Sequence, residues 1–222
     1  MKICVMSFDD GTVFDKPLIA LLRKYHFKAT FNLNSGMDGY VWYLGSQPIT
    51  RLVLKDNIGL YRGMEVASHS LNHPHLSELT WDQLGYQIGK DKENLETLFK
   101  RPVNAFAVPF SDYDERTIEV LHRLGFTSFR VDADRFDYSF PKDNFIVGVN
   151  AYTGEGEGPK KIQDFLNDKN PNGLFIFAGH SYDFEVNQKW ACFEEFLKLL
   201  SQHPEIKVMT MSEMMKHCPK IE

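Results

Sequence analysis

The sequence predicts an α/β domain in which seven or eight short strands, most followed by a helix, close into a distorted barrel of about seven βα units. Three observations carry that prediction. Short apolar runs of β type alternate with longer segments of helical period. A helix-start signal falls where the period changes, in the capping box Thr80-Trp81-Asp82-Gln83. Three polar clusters, Asp9-Asp10, His69 to His73 and His180-Ser181, each follow directly on a predicted strand, and barrels of this kind gather their chemistry at the carboxyl ends of strands.

Taken in order, the first strand is Ile3 to Met6, leading to Asp9-Asp10-Gly11. A helix follows with Asp15 as N-cap and Pro17 in its first turn, and Leu18, Leu21, Leu22 and Tyr25 form its apolar face. Ala29 to Leu33 reads as the second strand. Asn34 to Gln47, rich in glycine and aromatics and without a period, reads as a long loop, and Ile49 to Asn57 as a short helix. Met64 to Ser68 is a strand that runs straight into the histidines, and the capping box opens a helix to about Lys100. The alternation then continues through strand Asn104 to Val108, a helix from about Asp112 to Leu124, strand Ser128 to Val131, a polar loop and strand Phe145 to Val149. A helix from Pro159, strand Leu174 to Ala178, helix Asn187 to Gln202, strand Ile206 to Thr210 and a short helix from Ser212 complete it.

With 222 residues, 43% of them hydrophobic, the chain supports one substantial core, so residues 1–222 read as a single catalytic domain. Its 30 acidic and 25 basic residues are interspersed and leave a net charge of -5, which argues against nucleic acid and against an anionic membrane as partners. Cys4, Cys192 and Cys218 are far apart and form no C-x-x-C pair, which suits a reducing compartment. Behind Met1-Lys2 only Ile3 to Met6 are apolar, short of the roughly 7–15 residues of a secretory signal, so the expectation is a cytoplasmic protein. The sequence sets no oligomeric state. There is no Gly-x-Ser-x-Gly elbow, and the Gly154 to Gly158 stretch alternates glycine with glutamate, whose charge repels phosphate.

The chemistry centres on two motifs. In His69-Ser70-Leu71-Asn72-His73 two imidazoles stand four positions apart at a strand exit, and Pro74 disfavours helical geometry at His73, so a turn must bring them together. Imidazole is a common ligand of first-row cations, and a catalytic site needs a third protein ligand. Ser7-Phe8-Asp9-Asp10-Gly11-Thr12 places two carboxylates at a strand end where Gly11 permits a tight turn, so that one can bind a metal while the other takes a proton from water on it. Each motif also has a plain reading, as loop histidines and as an Asp-Asp-Gly turn.

In combination, Ser-Phe-Asp-Asp-Gly-Thr, His-Ser-x-x-His, Pro109-Phe110 and a late strand ending in His180 resemble the ordered motifs of the polysaccharide deacetylases, the NodB homology domain or carbohydrate esterase family four. The resemblance implies a NodB-like distorted barrel and one divalent metal held by Asp10, His69 and His73. Zinc is the first expectation, with cobalt, nickel or manganese also compatible. It further implies Asp9 as general base, His180 as general acid, and the Phe110 backbone N–H as an oxyanion donor, with metal-bound water removing N-acetyl or O-acetyl groups from an acetylated carbohydrate or a small acetylated substrate. Alternatives are another small amide or ester substrate, or a silent carbohydrate-binding domain.

Two departures matter. The family's arginine two positions before the proline is Ala107 here, and the fourth motif, Arg130 to Asp137, lacks its tryptophan. Arg130 is expected to replace the missing arginine and pair with Asp9, supported by Asp132 or Asp134, although a surface cation is an equal reading. Asp183 or Tyr182 is placed to orient His180. Pro109, Asn32 and Asn34 are expected on the substrate side, the two asparagines toward sugar hydroxyls. Tyr40, Trp42 and Tyr43 either stack on a pyranose or staple their own loop.

Overall fold

The computed structural model describes residues 1–142 and 145–218. Strand β1 (Lys2–Asp9) is its axis, and all its residues after Lys2 are buried, as befits a parallel strand covered on both faces. Strand β10 (Gly173–His180) pairs with it from Lys2 opposite Gly173 to Asp9 opposite His180. On its other edge β1 is shared: Lys2 to Val5 pair with β11 (Ile206–Met209) and Ser7 to Asp9 with β2 (Thr30–Leu33). From β2 the sheet runs on through β5 (Glu65–Ser68), β6 (Ala105–Ala107), β7 (Ser128–Asp134) and β8 (Ile146–Val149). Its pairings are all parallel.

The sheet comes close to closing at Asn150. Strand β8 pairs with β7, whereas the short β9 (Ala151–Tyr152) pairs with β10. Between them the Asn150 N–H donates to the Ile176 carbonyl at 2.9 Å and Asn150 Oδ1 accepts from the Ile176 N–H at 2.9 Å, so one side chain bridges where the ladder changes partner.

Alternation along β1 sorts two layers of core. Cys4, Met6 and Phe8 face the helices α1 (Asp15–Lys24), α2 (Trp81–Phe99), α3 (Glu115–Arg123), α4 (Gly158–Asn167) and α6 (Trp190–Ser201) in a layer that includes Leu18, Leu84, Val120, Ile162 and Phe193. Ile3 and Val5 face the barrel interior with Ala67, Ala105, Val147 and Ile176, closed below by Met211 and Met214 of α7 (Met211–Met215). The same alternation carries Ser7 and Asp9 inward at the carboxyl end of the barrel.

Several elements differ from expectation. Asp15 does not cap α1; it lies within the helix, buried, and accepts a hydrogen bond from the Tyr61 hydroxyl at 2.7 Å. The stretch expected as loop and then helix forms an antiparallel hairpin instead, β3 (Val41–Leu44) and β4 (Gln47–Thr50), followed by 3-10 turns at Leu54–Asp56 and Ile58–Tyr61. Gly45 takes the positive φ that its two-residue turn requires. This hairpin is largely exposed, so no buried face imposes an apolar period on its sequence. A short helix α5 (Ser181–Val186) also begins immediately after His180. The capping box at Thr80 is formed as expected, with the Gln83 N–H donating to the Thr80 hydroxyl.

Candidate metal centre and active site

Every cluster noted in the sequence converges on the carboxyl end of the sheet. At the end of β1 the chain turns through Asp10 at φ 79° and Gly11 at φ 64°. A Cβ at position 11 would sit 2.8 Å from the Leu33 side chain, so glycine is favoured there by space as well as by backbone conformation. The turn separates the two carboxylates: Asp9 stays in line with β1, and Asp10 is directed at the histidine loop. That loop takes positive φ at Ser70 (66°) and His73 (56°), a non-helical path that brings both imidazoles to the same carboxylate.

Asp10 Oδ1 lies 3.8 Å from His69 Nε2 and 3.5 Å from His73 Nε2, and the three ligand atoms fall within 4.8 Å of one another. Bonds of about 2.0–2.2 Å to a common ion put two ligand atoms at most about 4.4 Å apart, so a small contraction completes the site. The chemistry of the donors fits a divalent cation. Burial pushes His69 down to about 4 and His73 down to about 3, leaving both neutral and able to ligate near neutral pH. His69 Nδ1–H donates to the Ala107 carbonyl at 2.8 Å, which fixes the tautomer with Nε2 free to bind. Burial alone would raise the Asp10 carboxyl, but the charges around it hold it well below the usual carboxylate range. With His69 and His73 neutral, the lasting charges are those of His180 and Arg51.

Arg51 was not foreseen from the sequence. It follows directly on β4, and its Nη2 donates to Asp10 Oδ1 at 2.8 Å while Nη1 donates to the Asp10 carbonyl at 2.7 Å and to Asn34 Oδ1. Asn34 in turn donates to the carbonyls of His69 and Ser70. Both asparagines expected to meet sugar are buried and used internally. Asn32 Nδ2 donates to Ser7 Oγ at 2.8 Å, to the Phe8 carbonyl at 3.3 Å and to Asp9 Oδ1 at 2.7 Å. The reason is register: Asn32 stands beside Asp9 in the ladder and shares its inward face. Pro109 is likewise buried and does not line the cavity, whereas Phe110 does.

Arg130 lies beside Ala107 in the β6–β7 register, so both project to the same side. Its guanidinium donates to Asp9 Oδ2 through Nη2 and to Asp132 Oδ1 through Nη1. Asp132, rather than Asp134, is thus the supporting carboxylate. Arg130 is 1% exposed, which excludes the surface reading. On the other flank His180 Nδ1 lies 3.2 Å from Asp183 Oδ2, which also accepts from the Thr153 hydroxyl, and His180 Nε2 is 3.8 Å from Asp10 Oδ2. Burial opposes protonation of His180, but the hydrogen bond to Asp183 and the charge of Asp10 outweigh it and push its pKa up to about 9. Tyr182 stacks on His180 at 4.6 Å between centroids, and its hydroxyl donates to Asp10 Oδ2 at 3.4 Å.

A cavity of about 570 Å³ opens over these groups. Tyr40 and Trp42 form one wall, with near-parallel rings 6.2 Å apart, and Trp42 meets the Tyr182 ring edge-on at 5.5 Å. Opposite them stands Phe110, at φ 55°, its ring stacked on His75 at 4.2 Å and set against His73 at 4.4 Å. Below the histidine loop, Asp91 of α2 is fully buried and accepts from the Ser35 N–H at 2.7 Å and the Ser68 hydroxyl at 2.5 Å. Nothing in the local sequence marks Asp91 or Arg51, because both meet their partners only across the fold.

The protein-family model described as polysaccharide deacetylase matches residues 1–129, more than half of the chain. Chitin deacetylase 3 of Cryptococcus neoformans is 25% identical over 158 residues, covering 68% of this chain and 36% of that protein. The chain spans less than half the length of the curated relatives it matches. Among solved structures, a family 4 carbohydrate esterase from Streptomyces lividans in complex with acetate aligns with a TM-score of 0.62 at 15% identity, covering 93% of this chain and 91% of that one. The wild-type BA3943 of Bacillus anthracis, described as a family pseudoenzyme, aligns with a TM-score of 0.60 at 15% identity, covering 96% of this chain and 65% of that one. At that identity the two structures speak for the fold.

Proposed function

We propose that this chain, which belongs to the polysaccharide deacetylase family, is a metal-dependent hydrolase that removes acetyl groups from a carbohydrate. The observation that carries the reading is the convergence of Asp10 with two neutral imidazoles beside a separately clamped carboxylate, Asp9. A divalent ion held by Asp10, His69 and His73 would supply Lewis-acid polarisation of the acetyl carbonyl and lower the pKa of water. Asp9 accepts the proton of the attacking water. Its oxygens are oriented by Asn32 and Arg130, and a carboxylate so held retains lone pairs for the incoming proton.

His180 is the proton donor to the departing amine or alkoxide. Asp183 anchors Nδ1, which leaves Nε2 on the side of Asp10, and a pKa near 9 keeps the ring protonated at neutral pH. The Phe110 N–H is assigned to the oxyanion, and Tyr40 and Trp42 to the faces of the sugar. Acetate and the freed amine or hydroxyl are the products.

A second reading, carbohydrate binding without turnover, draws on Arg51, which engages the same Asp10 oxygen that faces the imidazoles. One experiment separates the two. Protein purified without chelators is analysed for bound metal and assayed for acetate release from N-acetylchitooligosaccharides and an acetylated aryl ester. The hydrolase reading requires acetate release that is lost with chelator and restored by zinc, cobalt, nickel or manganese. Bound metal with no acetate released from any substrate sinks it in favour of the binder.

A further inference from the structure

Arg51 is an unusual neighbour for a metal ligand. Its side chain is 6% exposed, its guanidinium carbon lies 5.3 Å from the Trp42 ring centre, and its partners are Asp10 and Asn34. The cation is therefore largely buried and set against the one negatively charged member of the candidate triad. Asp10 Oδ1, which accepts from Arg51, is also the oxygen 3.5 Å from His73 Nε2 and 3.8 Å from His69 Nε2. An ion entering the triad must share that oxygen with a guanidinium.

We infer that Arg51 is a built-in counter-ion to Asp10 that holds the metal-free site together and weakens its grip on the metal, making the ion exchangeable. The inference rests on the metal-site reading above and deepens it. Two effects of Arg51 oppose each other. By tying the Asp10 carbonyl, the Asp10 carboxylate and, through Asn34, the His69 and Ser70 carbonyls, it preassembles the ligands and favours binding. By placing a positive charge against the ligand oxygen it opposes a second cation. The charge effect wins, because a single and a double charge a few ångströms apart repel strongly between side chains as little exposed as these, whereas preassembly saves only the ordering of a few side chains. The counter-charge also gives the buried Asp10 carboxylate a partner of its own.

The test measures zinc affinity of chelator-stripped protein by competition with a chromophoric chelator, together with thermal unfolding with and without zinc. Arg51→Gln keeps a donor and removes the charge; Arg51→Met keeps bulk and removes both. Both variants are expected to bind zinc at least tenfold more tightly than the wild type, with a lower Tm when stripped and a larger rise in Tm on adding zinc. A variant that merely lost packing would show the lower Tm without the tighter binding. Equal or weaker zinc affinity in Arg51→Gln overturns the inference. If neither the wild type nor the variants bind zinc at any concentration tested, the metal-site reading falls, and this inference with it.

Discussion

The two flanks of the site solve the same problem in different ways. On the side of the proposed base, Asp9 is buried and held by Asn32 and Arg130, which come from other strands 23 and 121 residues away in sequence. On the side of the proposed acid, His180 keeps 32% of its side chain exposed and is held by Asp183, three residues along the same chain, within one turn of α5. A buried carboxylate at a strand end has its partners delivered by packing. A partly exposed imidazole can be oriented by its own turn. Substitution on the Asp9 side is therefore expected to cost more than substitution on the His180 side.

That contrast can be broken by substitution. Asp9→Asn, which leaves the shape and removes the proton acceptor, is expected to lower kcat by about 10²–10⁴-fold in acetate-release assays. Arg130→Ala is expected to lower kcat/KM by about 10–100-fold and to destabilise the fold by about 3–5 kcal/mol, since it strands a buried carboxylate; denaturant melts and steady-state kinetics would read both. Arg130→Lys should recover part of the stability and little of the activity, because one ammonium cannot reproduce the fork shared by Asp9 and Asp132.

Asp183→Asn should be milder, about tenfold in kcat, by loss of orientation. Its signature lies in pH. In metal-free protein the His180 ring is protonated up to about 9, and since Asp183 is among the groups that raise it, the variant's imidazole should titrate at lower pH by NMR. Activity that depends on the protonated ring should then fail at lower pH on the alkaline side. Should Asp183→Asn prove as damaging as Arg130→Ala, the asymmetry between the flanks is not real.

The smallest effect on turnover is expected at Asp15, whose role is read in stability. Burial pushes its carboxyl up from 3.8 to about 7. The folded protein then keeps a proton that the unfolded chain releases, so stability falls as pH rises from about 4 to 7 and levels off above. Stripped Asp15→Asn protein should show a shallower decline of Tm across that window. The decline should not vanish, because buried Asp91 is raised in the same direction.

Most strands and long helices were legible in the sequence because each buries a face with its own period: β1, β5, β10 and α2 announced themselves as apolar runs or as a capped amphipathic stretch. The β3–β4 hairpin was not, since exposed strands obey no such period. Arg51 was lost with it, in a segment that read as helix. Asn32 and Asn34 were recognised as belonging to the site but given the wrong neighbours, because a period of two fixes the face of a side chain and says nothing of what stands across the ladder.

The sequence by itself determined the βα alternation, the turn that parts Asp9 from Asp10, and the histidine loop, all of which follow from local spacing and from glycine and proline at particular positions. Only the tertiary structure decided which charges meet. That Arg130 stands beside Ala107 and reaches Asp9, and that Arg51 reaches Asp10, depends on strand order and register. Those are set by how the whole core packs, and no window of neighbouring residues contains them.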